Sequence, residues 1–228
     1  EKMGARPIIA LNMLTSTFYH EMAAFYSLNE NNLPLEYIEL GNEFYLEKEH
    51  YRTVFPSVND YMDKALRWSK DIKFYAPFQN TKIAVVGAIS EENDKGRKRL
   101  WLDQVLERLK TSNSIDAITL HDYINLPPTN APCGGSLAPS GIEEFLLQSF
   151  NHVQELQNKE FLKIQEFNSN FSPKEIWITE FNLDDDNDNR TGTWAHGLLV
   201  ASLALNYLET PEITKIISHT MLAGGRFG

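Results

Sequence analysis

The sequence predicts an α/β protein built on a parallel sheet, and three observations predict it. Short apolar runs alternate in strict order with amphipathic stretches at helical spacing. Those runs are apolar on both faces, as strands buried between helices are. No tight-turn dipeptide joins consecutive runs, so no hairpin is expected.

The elements follow in order. Residues 6–14, RPIIALNML, form an apolar run opened by a proline and read as a strand. Residues 16–30 place Phe18, Met22, Phe25 and Tyr26 at helical spacing. LEYIEL (35–40) is a strand. Residues 57–75 are a helix, with Ser57 positioned to cap it and Tyr61, Ala65, Trp68 and Ile72 on one stripe. KIAVVGAI (82–89) is a buried strand. Residues 96–110 are an amphipathic helix with Leu102, Val105, Leu106 and Leu109 facing inward. SIDAITLHDY (114–123) is a strand, 141–167 a long helix or a broken pair, EIWITEFNL (175–183) a strand, 193–209 a strongly apolar helix, and TKIISHTMLAGG (214–225) a last strand. Trp68, Trp101 and Trp177 fit packing between helices and sheet.

Two architectures carry six such strands: a doubly wound open sheet and a (β/α)8 barrel. The open sheet calls for a glycine-rich phosphate loop after its first strand. ALNMLTSTFYHE (10–21) has no glycine, and no dinucleotide or P-loop fingerprint occurs elsewhere. With 228 residues the chain can bury a sizeable core. Its formal net charge of -10 disfavours nucleic acid and anionic membrane as partners, because both require clustered Lys and Arg. No run reaches transmembrane length. The single cysteine, Cys133, rules out an intrachain disulfide. It lies in a turn-rich loop with no basic neighbour to lower its pKa, so a nucleophilic role is not expected.

The polar exceptions collect at the C-terminal ends of the strands. These are Asn12, Asn42 and Glu43, then His121, Asp122 and Tyr123, then Thr179, Glu180 and Asn182, and finally His219. That edge is where barrels and open parallel sheets bind ligands. Two glutamates ending two different strands suggest a carboxylate pair that divides acid and nucleophile roles. Side chains alternate faces along a strand, so Tyr37, Glu39, Gly41 and Glu43 share a face if that strand stays regular. His121 and Tyr123 share one as well. With those faces inward in a barrel, Glu43, Glu180, His121 and Tyr123 converge, and Gly41 leaves room beside them.

IELGNE followed, after two intervening strands, by IWITEFN resembles the clan A glycoside hydrolases. The resemblance implies a retaining enzyme on a (β/α)8 TIM barrel. The whole chain, 1–228, then reads as one catalytic domain covering about strands three to eight, with the first two strands outside it. The LGNE form is most similar to the arabinofuranosidase, xylosidase and glucuronidase-like branches.

The resemblance makes Glu43 the acid/base and Glu180 the nucleophile, with carboxyl groups about 5–5.5 Å apart. It gives Asn42 a hydrogen bond to the sugar 2-hydroxyl, and His121 and Tyr123 a place beside the nucleophile, which the tyrosine holds. Asn12 is a further candidate sugar contact, and Trp194 a candidate stacking platform. Two departures stand out. Phe44 follows Glu43 where many members have proline, and SHTMLAGG puts His219 or Met221 where a tryptophan commonly lies under the sugar.

The implied substrate is a plant or algal poly- or oligosaccharide, and the implied location secreted or periplasmic. No cofactor or metal is expected. Glu39, on the same face as Glu43 but deeper, is expected to pair with a cation from the missing strands. DDDNDN (184–189) reads as a solvated acidic loop, because it lacks the glycine and closing glutamate of an EF-hand. Two other classes remain as alternatives. One is a non-catalytic glycan-binding barrel. The other is a metal enzyme using His121, Asp122, His219 and Glu180, which no H-x-H or H-x-x-E-H spacing supports.

Overall fold

The computed structural model describes residues 6–90, 94–125, 147, 151, 159–184 and 194–219. Six strands carry the sheet: β1 (Ile8–Ala10), β2 (Tyr37–Leu40), β3 (Lys82–Val86), β4 (Ala117–Asn125), β5 (Glu175–Asp184) and β6 (Ile213–Ile216). The helices are α1 (Phe18–Glu30), α2 (Glu49–Val54), α3 (Val58–Phe74), α4 (Trp101–Leu109), α5 (159–170) and α6 (Trp194–Leu208). The strand order is β1-β2-β3-β4-β5-β6, and the pairs β1–β2, β2–β3 and β3–β4 are parallel. A doubly wound sheet reverses its order at a switch point. This sheet does not, and its order is that of consecutive strands of a (β/α)8 barrel.

The chain divides into two compact units: residues 1–120 with 166–177, and residues 121–165 with 178–228. In the first unit the in-register partners show the two faces of the sheet. Ile38, Leu40, Ile83, Val85 and Ile118 are fully buried on one face. Each contributes about 1.5–3 kcal/mol by leaving water. The other face carries smaller or polar side chains. Ala10, Glu39, Ala84 and Ala117 are successive register partners. Beneath them Trp177 meets Tyr37 edge-on, with ring centroids 5.7 Å apart. Glu39 is therefore buried on the face expected for it, and its charge adds to the burial that raises the Tyr61 pKa.

Helix side chains take over the hydrogen bonding where the strands end. The Tyr61 hydroxyl, from α3, donates to Leu40 O at 3.0 Å and accepts from Val86 N at 2.7 Å. Trp101 Nε1, from α4, donates to Val86 O at 2.8 Å. Lys64 Nζ donates to Met13 O at 2.6 Å. The opposite ends of the strands carry ion pairs instead. Asp116 accepts from Lys73 at 2.7 and 2.9 Å and from Ile83 N at 2.8 Å, and Arg6 pairs with Glu36 and Lys82 with Glu175. That division suits a fold with chemistry at one edge and stability at the other.

The predicted helix faces are buried: Tyr61, Ala65, Trp68 and Ile72 on α3, and Leu102, Val105, Leu106 and Leu109 on α4. Ser57 caps α3 in a reciprocal box with Asp60. On α1, Met22 and Phe25 are buried, while Tyr26 is half-exposed against Tyr75 and Phe78.

Several boundaries differ from expectation. β1 and β6 are shorter than predicted. β1 stops early because Leu11 N still pairs with Glu39 O, after which the Asn12 side chain turns the chain. α2 was not predicted; its six residues are too few to show a helical period. Of the predicted helix 141–167, residues 159 onward are helical and run on to 170. Most of 141–158, with Cys133, residues 185–189 of the acidic run, Met221 and the end of the last predicted strand, lies outside the described residues.

In the second unit α6 buries His196, Leu199, Leu203 and Tyr207 along one stripe and exposes Trp194, Leu198, Leu205 and Leu208. The Tyr207 ring stands edge-on to Phe181 and Phe161, and its hydroxyl donates to Asp122 Oδ2 at 2.6 Å. Burial, then the Asp122 charge, pushes this phenol well above the ordinary tyrosine range.

Candidate active site

The strand-end polar residues divide between the two units: Asn12, Asn42 and Glu43 belong to the first, and the rest to the second. In the first unit β2 ends at Leu40, and the chain leaves the extended conformation at once. Gly41 has φ +100° and Glu43 φ +51°. Positive φ is open to glycine and strained for glutamate. The side chain of Glu43 is thus not aimed by strand alternation, because the regular strand needed for that rule stops three residues earlier. The turn aims it.

Phe44 explains the turn. It is buried and packs against Tyr51, Phe55 and Tyr61, with centroids 5.4, 4.9 and 5.4 Å away. A Cβ on Gly41 would lie 2.0 Å from the Phe44 ring. Glycine is needed here for both φ and space. The turn is anchored by an aromatic plug supplied partly by α2. The buried Tyr45 hydroxyl donates to Glu43 Oε1 at 3.0 Å and so fixes the half-buried carboxylate. Asn42 is exposed and makes no side-chain hydrogen bond among the described residues. The Asn12 side chain is occupied: it accepts from Leu14 N and Thr15 N and donates to Thr15 Oγ1.

In the second unit β5 runs extended through Glu180. The Tyr123 hydroxyl donates to Glu180 Oε2 at 2.6 Å. His121 Nδ1 lies 3.5 Å and His219 Nε2 3.9 Å from the same oxygen. The imidazole of His219 also meets the Tyr123 ring edge-on at 5.8 Å. All three neighbours converge on Oε2, and Oε1 has no hydrogen-bond or ion-pair partner among the described residues. His121 and Tyr123, predicted to share a face of β4, both reach this carboxylate.

Asp122, between them, is turned the other way onto Tyr207, so the four-residue metal set is not assembled. Trp194 is 89% exposed at the start of α6 and is available for stacking. Sequence reasoning assigned no role to Tyr45, Tyr207 or His196, gave Asp122 a role only in the metal alternative, and gave no specific role to Asn182. Tyr45 and Asn182 each stand two residues beyond a glutamate, which was the one available signal.

No protein-family profile matches the chain, and no curated protein does. Solved structures do. A family 51 α-L-arabinofuranosidase from Bifidobacterium longum matches at 13% identity and TM-score 0.66, over 96% of this chain and 48% of that one. A family 44 xyloglucanase from Paenibacillus polymyxa matches at 11% identity and TM-score 0.59, over 96% and 51%. A GH51 arabinofuranosidase from Xanthomonas axonopodis pv. citri matches at 15% identity and TM-score 0.61, over 95% and 46%. These likenesses establish the fold, and the chain spans about half the length of each structure. The resemblance that IELGNE and IWITEFN carry is thus matched in the fold, whose solved neighbours are glycoside hydrolases.

Proposed function

We propose that this chain carries the catalytic residues of a retaining O-glycoside hydrolase. In the first step Glu180 Oε1 attacks the anomeric carbon. The glycosidic bond breaks, and the Glu43 proton passes to the departing oxygen. In the second step water attacks the same carbon and gives its proton to Glu43. The bond to Glu180 breaks, and the sugar leaves with its configuration retained. Asn42, exposed beside Glu43, hydrogen-bonds the sugar 2-hydroxyl. His121 and Tyr123 hold the nucleophile, and Trp194 offers its indole face to a sugar.

One observation supports this reading above the others: Tyr123 hydrogen-bonds Oε2 of Glu180 and both imidazoles lie nearest that same oxygen, so Oε1 is left to form a bond. No metal or cofactor is required by these steps. The activities named for the solved neighbours make arabinose- or xylose-containing glycans the first substrates to try. A plant or algal source and a secreted or periplasmic location are proposed on the sequence resemblance alone. No helix among the described residues is long and apolar enough to cross a membrane.

The test is a screen of aryl arabinofuranosides, xylosides, glucuronides and galactosides with the parent and Glu180→Ala. The parent should release the phenol with retained anomeric configuration, read by NMR in the first minutes. The variant should lose about 10⁴-fold or more. No turnover of any glycoside sinks the substrate class, and an equally active variant sinks the nucleophile. Sugar binding without turnover points instead to a glycan-binding module.

A further inference from the structure

We propose that Asn182 is a substrate-contacting residue whose side-chain NH2 donates to a hydroxyl oxygen of the sugar held beside Glu180. This deepens the glycosidase reading and rests on it.

The argument begins with β5, which runs from Glu175 to Asp184, so Glu180 and Asn182 lie on one face of it. The Asn182 amide can be oriented without ambiguity. One terminal atom lies 2.8 Å from Leu183 N and 2.8 Å from His196 Nε2. A backbone N–H can only donate, so that atom is the oxygen. It follows that His196 carries its proton on Nε2. The two N–H groups use both lone pairs of Oδ1, and the amide cannot flip without setting donor against donor.

The nitrogen is the consequence. Nδ2 bears two protons and has no side-chain or backbone partner among the described residues. It is not one of the fully enclosed unpaired polar atoms, so it faces open space on a residue that is otherwise only 5% exposed. A donor that is fixed in direction and open to solvent can exchange its water for a ligand oxygen without leaving any partner unpaired. Here a buried histidine from α6 and a backbone amide both serve to hold the oxygen away. What remains is a fixed, two-proton donor on the face of the nucleophile. Its ligand must accept hydrogen bonds and carry little charge, which describes a sugar hydroxyl.

The decisive variant is Asn182→Asp. Aspartate keeps an oxygen for Leu183 N–H and His196 Nε2–H, so any purely structural role survives, while the NH2 donor is replaced by an acceptor. The probe is the aryl glycoside turned over fastest by the parent, together with its monodeoxy analogues. We expect an unchanged thermal midpoint and a KM raised about tenfold or more. We also expect the penalty to vanish for one deoxy analogue, the one lacking the contacted hydroxyl. Equal KM in parent and variant overturns the inference, as does a penalty of the same size for every analogue, which would indicate charge alone. A parent that binds no glycoside overturns the glycosidase reading and this inference together. A parent that binds while the variant binds equally overturns this inference only.

Discussion

Glu43 and Glu180 are the same residue type at the ends of two strands of one sheet, and they are held by opposite means. Glu180 sits on regular extended backbone and is positioned by side chains: a tyrosine hydroxyl and two imidazoles gather on one of its oxygens. Glu43 sits on strained backbone and is positioned by packing: a left-handed turn, a glycine with no room for a Cβ, and a buried aromatic plug. A nucleophile must meet carbon along one line, so it profits from hydrogen bonds that fix its plane. A proton donor must reach the leaving oxygen and later a water in nearly the same place. A turn can set its height and leave the carboxyl some freedom.

If the two roles are so divided, the largest contrast should appear in leaving-group dependence. Glu43→Ala should slow cleavage of an alkyl or sugar glycoside by about 10²–10⁴-fold. It should slow a dinitrophenyl glycoside much less, since that phenolate departs without a proton. An equal loss on both substrates would remove Glu43 from the acid role.

Next in size, Tyr123→Phe should lower kcat by about ten- to a hundredfold by loosening Glu180. The folded state should be little affected, because only one half-buried hydroxyl is lost. Steady-state kinetics beside a thermal melt separates the two effects.

Gly41→Ala attacks the other means of support. A Cβ meets the Phe44 ring and an unfavourable φ together, so the expected loss is about 1–3 kcal/mol of stability by chemical denaturation. The smallest effect should run the other way. Glu43→Gly removes a strained side-chain-bearing residue, so it should leave stability unchanged or raised by about 1 kcal/mol while slowing alkyl or sugar glycosides as much as Glu43→Ala does. A clear destabilisation would show that the turn carries no strain.

The sequence made the two glutamates legible for different reasons, and the turn at Glu43 shows where the reading failed. The alternation of apolar runs and helical stripes is a repeated signal, so the strand order and the buried faces of α3 and α4 could be read from it. Glu180 lies within such a run, and period two puts His121 and Tyr123 on one face of β4, from which both reach the Glu180 carboxylate. Glu43 lies three residues past the end of its strand, where no period applies. Its direction depends on Phe44 meeting Tyr51 and Phe55, from a six-residue helix too short to detect. The Tyr207–Asp122 and His196–Asn182 contacts were hidden for another reason. They join residues 85 and 14 positions apart in sequence, and each polar partner sits in a stretch that reads as ordinary strand or helix.

The Tyr61 hydroxyl has a consequence for how the molecule breathes. The Val86 amide looks in sequence like any strand amide, yet its proton is held by a phenol on a helix. Its exchange with solvent deuterium should therefore report the lifting of α3 away from the strand ends. The neighbouring β3 amides, paired strand to strand, should exchange only when the sheet itself opens. A single amide on β3 thus serves as a clock for helix undocking at the edge that carries the Glu43 turn.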